Sequence, residues 1–116
     1  MVDVTERVQE AVSATAVEDG VCQVYVPHTT CAVTVNEGAD PDVQHDFLQR
    51  LAALVPEDGA YRHGEGNSDS HIKSMLVGTQ VTLPVERGRL KLGRWQAVFL
   101  CEFDGPRRRN LWVTIR

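Results

Sequence analysis

The chain has 116 residues, 42% of them hydrophobic and 24% charged, with a formal net charge of -4 at pH 7. That length supports one domain with a real core and not two. The acidic balance argues against a general nucleic-acid binder, which presents a basic face, and no apolar run reaches the ~20 residues that cross a bilayer.

In chain order, Val4, Val8, Ala11 and Val12 recur at helical spacing behind Asp3 and Thr5, either of which can cap a helix start. The spacing predicts an amphipathic helix over residues 4–14. The first twenty residues carry Asp3, Glu6, Glu10, Glu18 and Asp19 and lack the apolar stretch of a signal peptide. Cys22, Cys31 and Cys101 form an odd set without CxxC spacing, each inside an apolar, strand-like run. Buried free thiols in a reducing, cytoplasmic setting are the expectation. Asp19-Gly20 reads as a turn, 21–26 as a half-buried strand, and Cys31 to Asn36 as a second strand after the polar break Pro27-His28-Thr29-Thr30.

Asp40-Pro41 opens a second helix with a capping aspartate and a proline at its first position. Val43, Phe47, Leu48, Leu51 and Leu54 line one side of it, and Pro56 stops it. A third helix follows a glycine-containing polar loop: Ser68 or Asp69 caps it, Ile72, Met75 and Leu76 read as its buried face, and Gly78 ends it. From Thr79 the period becomes two. Val81, Leu83 and Val85 alternate, Arg87-Gly88 is a hairpin turn, and Leu90 and Leu92 continue the pattern. Trp95 to Phe103 is a long apolar strand, Asp104-Gly105-Pro106 a turn, and Leu111, Val113 and Ile115 mark a closing strand over 110–116. Trp95 and Trp112 are read as core or subunit-interface residues. Arg107, Arg108 and Arg109 are read as a solvated basic tip. The order indicates one α+β domain over 1–116, with a mainly antiparallel sheet or sheets and two or three helices packed on it.

Chemistry concentrates in Tyr61 to Gly78, where a loop bearing His63 and Glu65 runs into a helix start suited to an anion. His28, His63 and His71 sit in loops or at a helix start, whereas His45 reads as a surface residue. With Glu65 or Asp69 nearby, the three imidazoles could hold a zinc-like divalent ion with one position open, or could be ordinary hydrogen-bonding histidines. The spacing decides neither. Glu37 lacks a structural explanation and is a candidate general base, whereas Asp40 reads as a helix cap. Lys73 can meet a phosphate or stay solvated. Walker, GxGxxG and GxSxG motifs are absent.

Several stretches resemble the YjbQ-like family. They are Pro27 to Pro41 (Pro-His-Thr-Thr-Cys-Ala-Val-Thr-Val-Asn-Glu-Gly-Ala-Asp-Pro), Leu54-Val-Pro56, Tyr61-Arg-His63 and Glu65 to Lys73. Leu90 to Gln96 and Cys101 to Arg107 (Cys-Glu-Phe-Asp-Gly-Pro-Arg) extend the likeness over nearly the whole chain. That family is labelled secondary thiamine-phosphate synthase. The resemblance implies a homotrimer with sites near subunit boundaries. It also implies a cluster from His28, Asn36, Glu37, His63, Asn67, Ser68, Asp69 and His71, with a metal among the histidines. The implied reaction joins an aminopyrimidine diphosphate to a thiazole phosphate. The family pattern has a strand before the first helix, expected here to be missing because Met1 lies almost at that helix; the neighbouring strand would then show a bare edge. Cys31 stands where family members commonly have a small residue such as alanine.

Two readings follow, with no nucleic acid or membrane as partner in either. In the enzyme reading, His28 and His71 carry protons, Glu37 is a base, and Thr29, Asn36, Asn67, Ser68, Asp69 and Lys73 hold a phosphorylated substrate; His28, His63 and His71 are the metal candidates. In the other, the same pocket belongs to a non-catalytic trimeric module that binds a metal or a small anionic metabolite. A purely structural assembly protein would leave the His63 loop without a purpose.

Overall fold

A computed structural model describes all residues, 1–116. The chain runs β1 (Val2–Asp3), α1 (Thr5–Ser13), β2 (Gly20–Tyr25), β3 (Cys31–Glu37), α2 (Pro41–Leu54) and α3 (Ser68–Val77). It continues with β4 (Gln80–Glu86), β5 (Arg89–Leu90), β6 (Gln96–Glu102) and β7 (Trp112–Ile115). These elements form two antiparallel sheets, in the orders β1-β6-β3 and β5-β4-β2-β7. The α+β architecture is as expected, but β2 and β3, adjacent in sequence, part into different sheets. Pro27 to Thr30 is the point of divergence, and it becomes one wall of the site.

A short strand does precede the first helix. Val2 and Asp3 pair with Leu100 and Phe99 of β6, so that edge is covered over two residues rather than bare. The Asp3 carboxylate accepts from the Thr5 backbone N–H (3.0 Å) and hydroxyl (2.6 Å), and the Thr5 hydroxyl accepts from Val98 N–H (2.9 Å). The entry to α1 is thereby tied to β6. Val4, Val8 and Val12 then enter one apolar core with Cys22 and Val24 of β2, Val33 of β3, Leu83 and Val85 of β4 and Val98 of β6. α1 closes both sheets at once.

Two helices depart from the hydrophobic pattern. In α3 the buried residues are Ser68, Asp69, Ser70 and Ser74, while Met75 and Leu76 are 79% and 65% exposed. The apolar side of α3 therefore faces outward, contrary to the sequence expectation. Small serines let the helix lie close against β3, and their hydroxyls satisfy local carbonyls: Ser70 Oγ donates to Phe103 O (2.6 Å) and Ser74 Oγ to Ser70 O (2.8 Å). α2 starts as predicted, with Asp40 accepting from Asp42 N–H (2.9 Å), but it buries only Leu51 and leaves Val43, Leu48 and Leu54 exposed. A helix standing off the body lengthens the molecule. Its extents are 49 × 27 × 20 Å and its radius of gyration 15.4 Å, against about 13 Å for a compact chain of this length. Trp95 and Trp112 are not core residues either: both are more than half exposed, Trp95 under Arg94 and Trp112 stacked on Tyr25.

All three cysteines are free and fully buried. Burial pushes each thiol up, Cys101 to about 11, with Arg109 only partly opposing it at Cys31. Because the thiolate is the reactive form, the native protein is expected to give no reaction with Ellman's reagent at about pH 8, and all three thiols after unfolding in guanidinium. A rapid native reaction would contradict this burial.

Candidate functional site

The site is built where β6 ends. The Glu102 carboxylate accepts two hydrogen bonds from Arg109, Nε and Nη2 each at 2.6 Å, and a third from Asp104 N–H (3.0 Å). Arg109 Nη2 reaches onward to Thr30, to its hydroxyl (2.8 Å) and its carbonyl (3.3 Å). The guanidinium is 9% exposed, and its hydrogen bonds hold the Glu102 carboxyl below the usual carboxylate range. The turn over Glu102 requires Gly105, because a Cβ there would meet Glu102 Cγ at 2.6 Å.

The loop after β6 is braced within itself and stapled to two other segments. Arg107 bonds Asp104 through Nε to the carbonyl (2.8 Å) and Nη2 to the carboxylate (3.1 Å). The same carboxylate accepts from Asn67 Nδ2 (2.9 Å) at the start of α3. Asn110 N–H donates to His28 Nε2 (2.9 Å). Pro27, His28, Thr29, Thr30, Glu65, Asn67, His71, Asp104, Arg107 and Arg109 thus line an open, largely polar concavity of about 360 Å³.

That geometry assigns hydrogens. His28 Nε2 is an acceptor, so a neutral His28 carries its proton on Nδ1 and offers a donor. His71, beside it in the wall, makes no ring hydrogen bond within the chain. On its other side it meets His63 edge-on, ring centroids 5.2 Å apart. His63, Ser68 and His71 border a second concavity of about 420 Å³, with Ala60, Tyr61, Arg62, Ile72 and Met75.

Of the predicted site residues, His28, Thr29, Asn67 and His71 line one concavity, His63 and Ser68 meet His71 in the second, and Asn36, Glu37, Asp69 and Lys73 line neither. Glu37 pairs with Gln96 at the far end of the ladder that pairs Cys31 with Glu102. Six residue steps separate the two ends, about 20 Å. Glu37 is also occupied, accepting from Ala39 N–H (2.7 Å) and Asp40 N–H (3.3 Å) in the turn before α2. It cannot serve as base to His28 or His71 of its own chain. Asn36 lies beside it, in a separate cavity of about 130 Å³ next to α2. Asp69 and Lys73 are spent on each other, 2.9 Å apart and largely buried within α3. Ser68 Oγ bonds His63 Nδ1 (3.0 Å) in the second concavity.

A zinc-like ion held by His28, His63 and His71 finds no ready-made centre. No three histidine, cysteine or acidic side chains converge in the chain. His28 Nε2 and His63 Nδ1 are both engaged, and the two imidazoles open into different concavities.

The residues that the sequence reading set aside are Glu102, Asp104, Arg107 and Arg109. A signal was there: two acids two apart and two arginines two apart, on either side of Gly105-Pro106. Such an arrangement can fold back on itself as ion pairs.

The profile of the family described as UPF0047 protein YjbQ-like matches residues 1–116. A UPF0047 protein of Methanocaldococcus jannaschii is 49% identical over 115 residues, covering 99% of this chain and 83% of that protein. The UPF0047 protein YugU of Bacillus subtilis is 45% identical, covering 97% and 86%. A crystal structure of an uncharacterized conserved protein of the family from Clostridium acetobutylicum superposes with a TM-score of 0.97 at 47% identity, covering 99% of this chain and 89% of that one. A YbjQ-like protein of unknown function from Sulfolobus solfataricus gives 0.93 at 31% identity, covering 98% and 84%. With its whole length matched in both sequence and fold, the chain belongs to the YjbQ-like UPF0047 family.

Proposed function

We propose that the protein is a small trimeric enzyme that binds a phosphorylated substrate in the polar concavity and moves a proton with His71. The observation that carries this is the lining itself. Arg107 keeps part of its guanidinium free, His28 offers Nδ1–H, Thr29 a hydroxyl, and His71 two unused ring nitrogens, all on one face. Ion pairs with Glu102 and Asp104 cancel most of the arginine charge. Donor geometry, more than net field, would therefore select the ligand. The resemblance names the reaction to test: a thiazole-phosphate nitrogen bonds the methylene carbon of an aminopyrimidine diphosphate as the carbon–oxygen bond breaks. Diphosphate then leaves, its developing charge met by Arg107 and by a proton from His71.

The homotrimer belongs to the same proposal. Val43, Leu48 and Leu54 of α2 and Met75 and Leu76 of α3 are exposed, more apolar surface than a monomer usually leaves in water. A neighbouring copy could also bring its Glu37 end to this pocket. A reducing cytoplasm is the proposed location, since three unpaired buried thiols need no oxidising compartment.

Calorimetric titration with inorganic diphosphate tests the site, with light scattering on the same sample. The assembled mass is expected near three times the 12.9 kDa of one chain. Arg107→Ala should weaken binding by roughly 10- to 100-fold, the range of one charge-assisted hydrogen bond. His71→Ala should abolish thiamine-phosphate formation. Binding with no turnover by the wild type would leave the non-catalytic module. No diphosphate binding would overturn the site.

A further inference from the structure

The second concavity holds a pairing that the polar site does not use. Ser68 Oγ lies 3.0 Å from His63 Nδ1, and His63 Nε2 lies 4.0 Å from Glu65 Oε1. Ser68 is the first residue of α3, yet its hydroxyl caps nothing; its only partner is the imidazole. The backbone N–H groups of Ser68 and Asp69, in the first helical turn, find no acceptor within the chain. The neighbouring Asp69 carboxylate is neutralised by Lys73 at 2.9 Å, so it does not repel negative charge forming there.

We propose that Ser68 and His63 form a nucleophile–base pair able to hydrolyse small, uncharged carboxylic esters. A proton on His63 Nε2, the nitrogen nearer Glu65, leaves Nδ1 free to accept from the serine hydroxyl. Ser68 Oγ then bonds the acyl carbon while its proton passes to His63 Nδ1. The resulting oxyanion meets the free N–H groups at the helix start, where the dipole also favours it. Collapse breaks the acyl carbon–oxygen bond, and the leaving alcohol takes the proton from His63. Water repeats the sequence, releases the acid and restores the serine. The remaining lining is Ala60, Tyr61, Arg62, His71, Ile72 and Met75, and its apolar members suit a short aliphatic acyl group. The polar concavity shares His71 with this one but offers no aliphatic wall beyond Pro27.

The test uses the purified full chain with p-nitrophenyl butyrate, and with a fluorophosphonate probe followed by peptide mass spectrometry. Hydrolysis is expected to fall at least ~100-fold in Ser68→Ala and in His63→Gln, the lower end of a general-base contribution. The label is expected on Ser68. Circular dichroism confirms that each variant is folded, and Ser68→Cys supplies a second readout: its thiol should alkylate with iodoacetamide faster in the His63 background than in His63→Gln. Wild-type hydrolysis in Ser68→Ala, a label elsewhere or absent, or alkylation indifferent to His63 would each overturn the pair. Diphosphate binding that is lost in Arg107→Ala reports on the other concavity, which alone contains Arg107, so failure of either reading shows separately.

Discussion

Glu102→Gln is expected to lower the melting temperature of the protein by roughly 10 °C at neutral pH, the counterpart of about 3 kcal/mol in a chain of this size. The substitution keeps the shape and removes the charge. Arg109, only 9% exposed, would keep Thr30 and at most one neutral amide oxygen as acceptors and carry an uncompensated charge in a poorly hydrated place. Removing one partner of such a pair costs more than the pair contributes, because desolvation of the survivor is no longer offset. Partial exposure of Glu102, 21%, tempers the figure. The dependence on pH has a definite sign. Arg109 lowers the folded-state pKa of Glu102, so its contribution is present above the ordinary carboxylate range and disappears as pH falls through the lowered value. Melting curves of wild type and Glu102→Gln should therefore converge in acid and separate toward neutrality. Equal melting temperatures at pH ~7 would mean that the 2.6 Å contacts carry no net stability. The same change should loosen the Thr30 wall and weaken diphosphate binding.

Local signals were legible, and they placed the elements well. The Asp40-Pro41 start and the valine spacing of the first helix act within a turn or two of the backbone, so α1 and α2 appear within a residue or so of their predicted bounds. The polar loops around His28 and His71 stood out for the same reason. What could not be read was pairing. Nothing local says that Tyr25 continues into one sheet and Cys31 into another, or that Glu37 ends opposite Gln96 and not beside the histidines. Arg109 looked like a solvated tip because its partners, Glu102 and Thr30, are brought to it by a turn and by a polar break seventy-nine residues away. In α3 the pattern itself misled: apolar spacing marks a face that will be covered, without saying by what.

That inversion gives the second large effect. Ser70→Leu is expected to cost about 3 kcal/mol, while Met75→Gln leaves the fold of the chain within ~0.5 kcal/mol. Ser70 is 3% exposed, its hydroxyl donates to Phe103 O at 2.6 Å, and α3 lies against β3 on this side. A leucine there removes the hydrogen bond and must displace either the helix or the strand, since a close-packed contact has no room for three extra carbons. Because Phe103 N–H is itself held by Thr30 O (3.2 Å), displacement would propagate into the Arg109 wall. Met75, 79% exposed, has nothing to lose within one chain. If its face is instead the contact between copies, the cost of Met75→Gln appears only as a melting temperature that rises with protein concentration less steeply than that of wild type. Denaturation at two protein concentrations separates the cases. A large, concentration-independent loss in Met75→Gln with little change in Ser70→Leu would restore the apolar-face-inward helix and would move His71 and Asn67 out of the positions that build the site.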